Sequence, residues 1–131
     1  MKKLAAIAAL GVALSSPALA TEWISCAAPG GEASFDFLVS SLDILAIAGL
    51  NVSVGDKVWA SDVAYGPGDP VEVGQAFEDT QTIRIDAMDE AISQKIAELR
   101  LFKASEGDVF VYAGTLRIPG YGAWAVSCEG P

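Results

Sequence analysis

Two cysteines, no histidine and seventeen carboxylates are the chemical resources of this 131-residue chain. Cys26 stands in "EWISCAAPGG" and Cys128 in "AWAVSCEGP", each directly after a serine and a few residues after a tryptophan. Two cysteines admit one intramolecular pairing, and a Cys26–Cys128 disulfide would close a loop spanning most of the chain. A metal-binding thiol pair is the rival role, but no histidine is present to complete its ligand set.

The absence of histidine also removes the commonest general base and the serine–histidine–aspartate triad. Carboxylates remain. Glu78–Asp79 and the group Asp86, Asp89 and Glu90 could supply the acid and base of a glycoside hydrolase, although solvated surface acids are the simpler account of them. Asp62, Asp69 and Glu72 share a Gly-rich stretch without the spaced ligand pattern of a calcium loop. No catalytic residue, cofactor or metal site is therefore expected, and the chain reads as a non-enzyme. The formal charge of −9 disfavours nucleic acid and anionic membrane surfaces as partners and favours a cationic protein.

The elements that position these residues follow from the patterning. Residues 1–20, "MKKLAAIAALGVALSSPALA", have the lysines, short apolar run and small-residue end of a secretory leader cleaved after Ala20. The run is too short to span a bilayer. A mature domain over 21–131, periplasmic or secreted, is thus predicted, in a compartment where the cysteines oxidise. Without the leader the charge becomes −11.

Alternation predicts strands through Phe35, Phe37 and Val39, through Leu50, Val52 and Val54, and through Ile83 and Ile85. Gly55–Asp56 predicts a two-residue hairpin turn that sets Val52 opposite Trp59. Strand parity places Ile24 on the face of Cys26 with Trp23 on the other face, and Trp124 and Val126 on the face of Cys128. Met88, Ile92, Ile96 and Leu99 fall at helical spacing, predicting one short helix over about 88–98. Two strands follow around Ser105–Asp108, with a bulge at Gly114. The fold class is mainly β (α+β). An antiparallel sandwich or small barrel of about seven strands is predicted, its first and last strands joined by the disulfide and so closing its edge.

The stretch from Ser61 to Gln81 is rich in glycine, proline and acids and reads as the longest irregular segment, with room for a short edge strand at Val71–Val73 after Pro70. Ser61, Asp62, Tyr65, Asp69 and Glu72 are its candidate partner-binding residues, since recognition concentrates on long loops over a rigid scaffold. Phe77 and Val73 either join them or cover a barrel mouth. In "SDVAY", Ser61 and Tyr65 carry the Ser-x-x-x-Tyr spacing of the periplasmic lysozyme inhibitors, which the chain resembles in size, acidity and cysteine placement. Asp62 and Ala64 depart from that family's pattern. The resemblance implies a disulfide-closed barrel that inhibits a basic exported protein such as lysozyme. An exported acidic binding module is the expected function. The alternatives are a carboxylate-dependent hydrolase and a structural or assembly component of the cell envelope.

Overall fold

The computed structural model describes residues 21–40 and 44–130. The predicted leader and its cleavage site at Ala20 lie outside the described residues. Ten strands follow in order: β1 (Glu22–Ala27), β2 (Ala33–Val39), β3 (Ile47–Val54), β4 (Lys57–Ala60), β5 (Asp69–Pro70), β6 (Glu72–Glu78), β7 (Thr82–Met88), β8 (Lys95–Glu106), β9 (Val109–Ile118) and β10 (Gly122–Glu129). A 3-10 turn, Val63–Tyr65, lies between β4 and β5. From edge to edge the single sheet runs β5-β4-β3-β2-β1-β10-β9-β8-β7-β6. All neighbours are antiparallel except β4 and β5.

The two outermost strands, β5 and β6, are consecutive in the chain and separated only by buried Val71. The sheet therefore curls until β3 meets β6, giving a nearly closed barrel. Inward positions alternate along each strand: Ile24 and Cys26, Phe35 and Phe37, Leu50 and Val52, Ile83 and Ile85, Leu99 and Leu101, Leu116 and Ile118. Each such large side chain withdrawn from water contributes about 1.5–3 kcal/mol, which makes the period-two pattern decisive. Trp124 packs against this core from the Cys128 side, while Trp23 lies outside, as strand parity requires.

Cys26 and Cys128 are bonded and sit directly opposite each other in the β1–β10 register. Their location differs from the predicted edge clasp. The first and last strands lie in the middle of the sheet, and the unsealed seam is between β5 and β6. Ten strands, against the predicted seven, arise because the stretch after Ser61 contributes β5 and β6 and the predicted helix is absent.

That helix is replaced by a turn at 89–94 and the start of β8. Asp89 Oδ1 accepts from the Ser93 amide (2.7 Å) and the Gln94 amide (3.1 Å), and its Oδ2 accepts from the Ser93 hydroxyl. Ala97, Leu99 and Leu101 then point inward opposite Ala87, Ile85 and Ile83. The strand buries this set completely, and two flanking strands, β7 and β9, satisfy its backbone. Tertiary pairing thus overrides the local helical spacing. Gly114 is not at a bulge. The β8–β9 register runs unbroken through Leu101↔Gly114, and an added Cβ there would fall 1.9 Å from the Arg100 carbonyl oxygen.

On the outer face the polar groups pair. Ser25 Oγ donates to Asp36 Oδ1 at 2.6 Å, which partly offsets the burial that pushes the Asp36 carboxyl above its ordinary range. Asp86 faces outward in register yet is buried, with Arg100 Nη1 2.8 Å from Oδ1 and Lys95 Nζ 3.7 Å from Oδ2. Arg100 Nη1 donates to the carbonyls of Leu99 and Ile85, so its contact with Asp86 is one of charge without an aligned hydrogen bond.

Candidate functional site

The short β4 ends at Ala60, and the next residues are folded back onto β3 by their own side chains. Ser61 donates its amide to the Leu50 carbonyl, and Ser61 Oγ accepts from the Leu50 amide, both at 2.9 Å, so a hydroxyl completes the ladder. Asp62 caps the 3-10 turn, its Oδ1 accepting from the Ala64 amide at 2.8 Å. Gly66, at φ 121°, ends the turn in a conformation open to glycine. Asn51 Nδ2 donates to the Tyr65 carbonyl at 2.9 Å. The Tyr65 ring lies over Gly49 and edge-on to Trp23. With its neighbours held down, Val63 projects at the crest of the turn, 94% exposed.

Behind this turn runs a groove of about 580 Å³ along the seam, flanked by Asp62 and Glu90 and floored by Ser61, Gly66, Pro67 and Pro70. A second groove of about 320 Å³ adjoins it, where Glu72 and Val73 face Ile47–Gly49 and Tyr65. Three acids and no basic residue line the pair. Of the five predicted residues, Ser61, Asp62, Tyr65 and Glu72 are brought together here. Ser61 and Tyr65 act largely as braces, whereas Asp62 and Glu72 flank open space. Asp69 is turned away to a salt bridge with Lys57, which raises the lysine above its ordinary range. The Lys57 ammonium lies 5.2 Å from the Trp59 ring centroid, and Tyr121 packs edge-on to that ring.

Sequence reasoning missed Val63, and it grouped Glu90 with Asp86 and Asp89 where the structure sets it beside Asp62. Val63 is the one large aliphatic side chain within "SDVAY", and an apolar residue in a polar loop was the available signal. The place of Glu90 gave no signal, because it arrives from the 89–94 turn that helical spacing had concealed. Phe77, whose two expected roles were left open, is exposed on β6 opposite Arg84.

The carboxylates considered for hydrolysis are dispersed. Glu78 pairs with Lys103 at 3.0 Å. Asp79 Oδ1 accepts from the amides of Gln81 and Thr82 and from the Thr82 hydroxyl, bonds that hold its carboxyl below the ordinary range. Asp89 is lowered in the same way, chiefly by Ser93. Among the described residues, no group of three or more carboxylates or cysteines is placed to hold a metal ion. No helix there is long and apolar enough to cross a membrane, and the disulfide fits an oxidising compartment. Comparison with protein families, with curated proteins and with solved structures finds no match to the chain. The likeness to lysozyme inhibitors thus gains no support from those comparisons.

Proposed function

We propose that this chain is an exported binding module that engages a basic protein, as an inhibitor would, through the braced turn at Val63 and the acidic groove behind it. The observation that carries this reading is the exposure of Val63 on a turn fixed from beneath by Ser61, Asn51, Tyr65 and Trp23. A turn already held in shape loses little entropy on binding, and an apolar crest can seat in a partner's cleft. Asp62, Glu72 and Glu90 would steer a cationic surface toward it. A hydrolase reading needs a carboxyl kept protonated near neutrality, and Asp79 and Asp89 are displaced in the opposite direction.

Titration calorimetry against lysozyme, then other basic exported proteins, at two salt concentrations tests the proposal. Binding should weaken with salt. D62N/E72Q should slow association, since asparagine preserves the cap while the charge is lost. V63D should speed dissociation about tenfold or more. Absence of binding at low salt, or binding indifferent to all three substitutions, would remove this function.

A further inference from the structure

The β8–β9 hairpin is longer than the strands beside it. β7 pairs with β8 only as far as Thr82↔Phe102, and β10 pairs with β9 only from Ser127↔Ala113 onward. Residues 103–106 and 109–112 therefore project as a two-stranded ribbon turned at Gly107–Asp108. Its two edges differ. On the β8 side the 79–81 turn reaches the backbone at Lys103, whose amide donates to the Gln81 carbonyl at 2.8 Å and whose ammonium pairs with Glu78. On the β9 side, none of the described residues pairs with Val109–Tyr112. β10 leaves that edge to run beside β1 and ends at Glu129.

The uncovered edge is also the most apolar surface of the ribbon. Phe110 is 66% and Val111 54% exposed, and the alternation of "VFVY" sends apolar groups to both faces. An exposed strand of this composition is a template for strand addition unless it is charged or covered. Charge lies only at its ends, in Glu106 and Asp108 at the tip and Glu129 at the other end. A second copy paired antiparallel along the same edge would bring Asp108 toward its twin's Glu129. An anionic bilayer would meet the tip carboxylates first. An extended segment with basic residues flanking or alternating with apolar ones meets neither obstacle.

We propose that the unpaired β9 edge, Val109–Tyr112, takes up an extended apolar and basic segment of another protein as an added strand. This surface lies outside the Val63 turn and its groove, and the proposal stands independently of them. Residue-resolved hydrogen exchange on the disulfide-closed protein, with a synthetic peptide of alternating lysine and valine, tests it. The amides of Phe110 and Tyr112, which face away from β8, should exchange about tenfold more slowly with the peptide, less so as salt rises, and a glutamate–valine counterpart should give no protection. F110P, which deletes a backbone donor on the open side of β9, and V109K/V111K, which keeps a strand and makes it cationic, should both abolish the effect. V109K/V111K should retain the parent melting temperature, separating loss of docking from loss of folding. D62N/E72Q should leave the protection unchanged.

Equal protection by the acidic peptide, protection confined to other segments, or lysine–valine docking retained in V109K/V111K would overturn the proposal. So would a protein that sediments as a dimer with this edge already protected, or one that binds phosphatidylglycerol vesicles through Phe110.

Discussion

The Tyr65 ring stands edge-on to the Trp23 ring, with centroids 5.3 Å apart and planes at 81°. A residue of the turn after β4 is thereby fastened to the first strand, across Gly49 of β3. That crossing is possible because Gly49 has no side chain: a Cβ there would lie 2.7 Å from the Tyr65 ring.

Removing either half of this brace should loosen the turn without undoing the barrel. Y65A is expected to cost about 2 kcal/mol, from the lost aromatic pair and its buried area. G49A should displace the ring at a cost of about 1 kcal/mol. In both, the indole signal of Trp23 should shift in NMR spectra and proteolysis should begin within Ser61–Gly68. A variant with unaltered melting and an unshifted Trp23 signal would show that the ring braces nothing.

The disulfide joins residues 102 positions apart, so its reduction restores a large freedom to the unfolded chain. The chain-entropy argument gives about 4–5 kcal/mol as an upper figure. Reduced protein should keep the β1–β10 ladder and lose about 3–5 kcal/mol in urea titrations. A loss below about 1 kcal/mol would mean that the unfolded chain is already held compact by other means.

Acid should destabilise the fold through its turns. Asp79 and Asp89, and Glu98 beside Lys95, have folded values lowered by their hydrogen bonds. Their contribution is complete above the ordinary carboxyl value of about 4 and disappears as pH falls through the lowered folded values. Asp36 has the opposite sign. Burial raises it, so its contribution is present below the ordinary value and lost as pH rises through the raised one. The lowered groups are the ones that titrate in acid, so stability should fall below about pH 4. D79A/D89A should flatten that slope in melts taken across the acid range. An unchanged slope would assign acid unfolding to other groups.

Ile92 sits at φ 52°, a left-handed conformation that β-branched residues avoid, and it is 58% exposed. The strain is worth roughly 1–2 kcal/mol and the side chain is only partly covered. I92N should accordingly raise stability by about 0.5–1 kcal/mol, since asparagine tolerates this region. Denaturant titration measures it directly, and a destabilised I92N would mean that the Ile92 side chain makes contacts outweighing the strain.

Several features were legible because their causes are local. Gly55–Asp56 between two alternating runs was enough to place Val52 opposite Trp59, as the β3–β4 register shows. Parity along each strand was enough to set Trp23 outside and Trp124 with Cys128 against the core. The cysteine count left one pairing. Of the acidic stretch from Ser61 to Gln81, the structure sets Ser61, Asp62, Tyr65 and Glu72 along the grooves and turns Asp69 away.

What only the tertiary structure decided depends on partners distant in sequence. From Met88 to Leu99 a helical and an alternating apolar pattern coexist, and the choice falls to Ile83, Ile85 and Leu116, which offer β8 a buried face on both sides. The seam moved from the terminal strands to β5 and β6 because β1 and β10 each find a second neighbour. The roles of Ser61 and Tyr65 as braces, the arrival of Glu90 beside Asp62, and the edge of β9 that none of the described residues covers were equally unreadable. Each depends on which distant residues meet, as Tyr65 meets Trp23 and Gly49, or on where one strand ends against another, as β10 ends against β9.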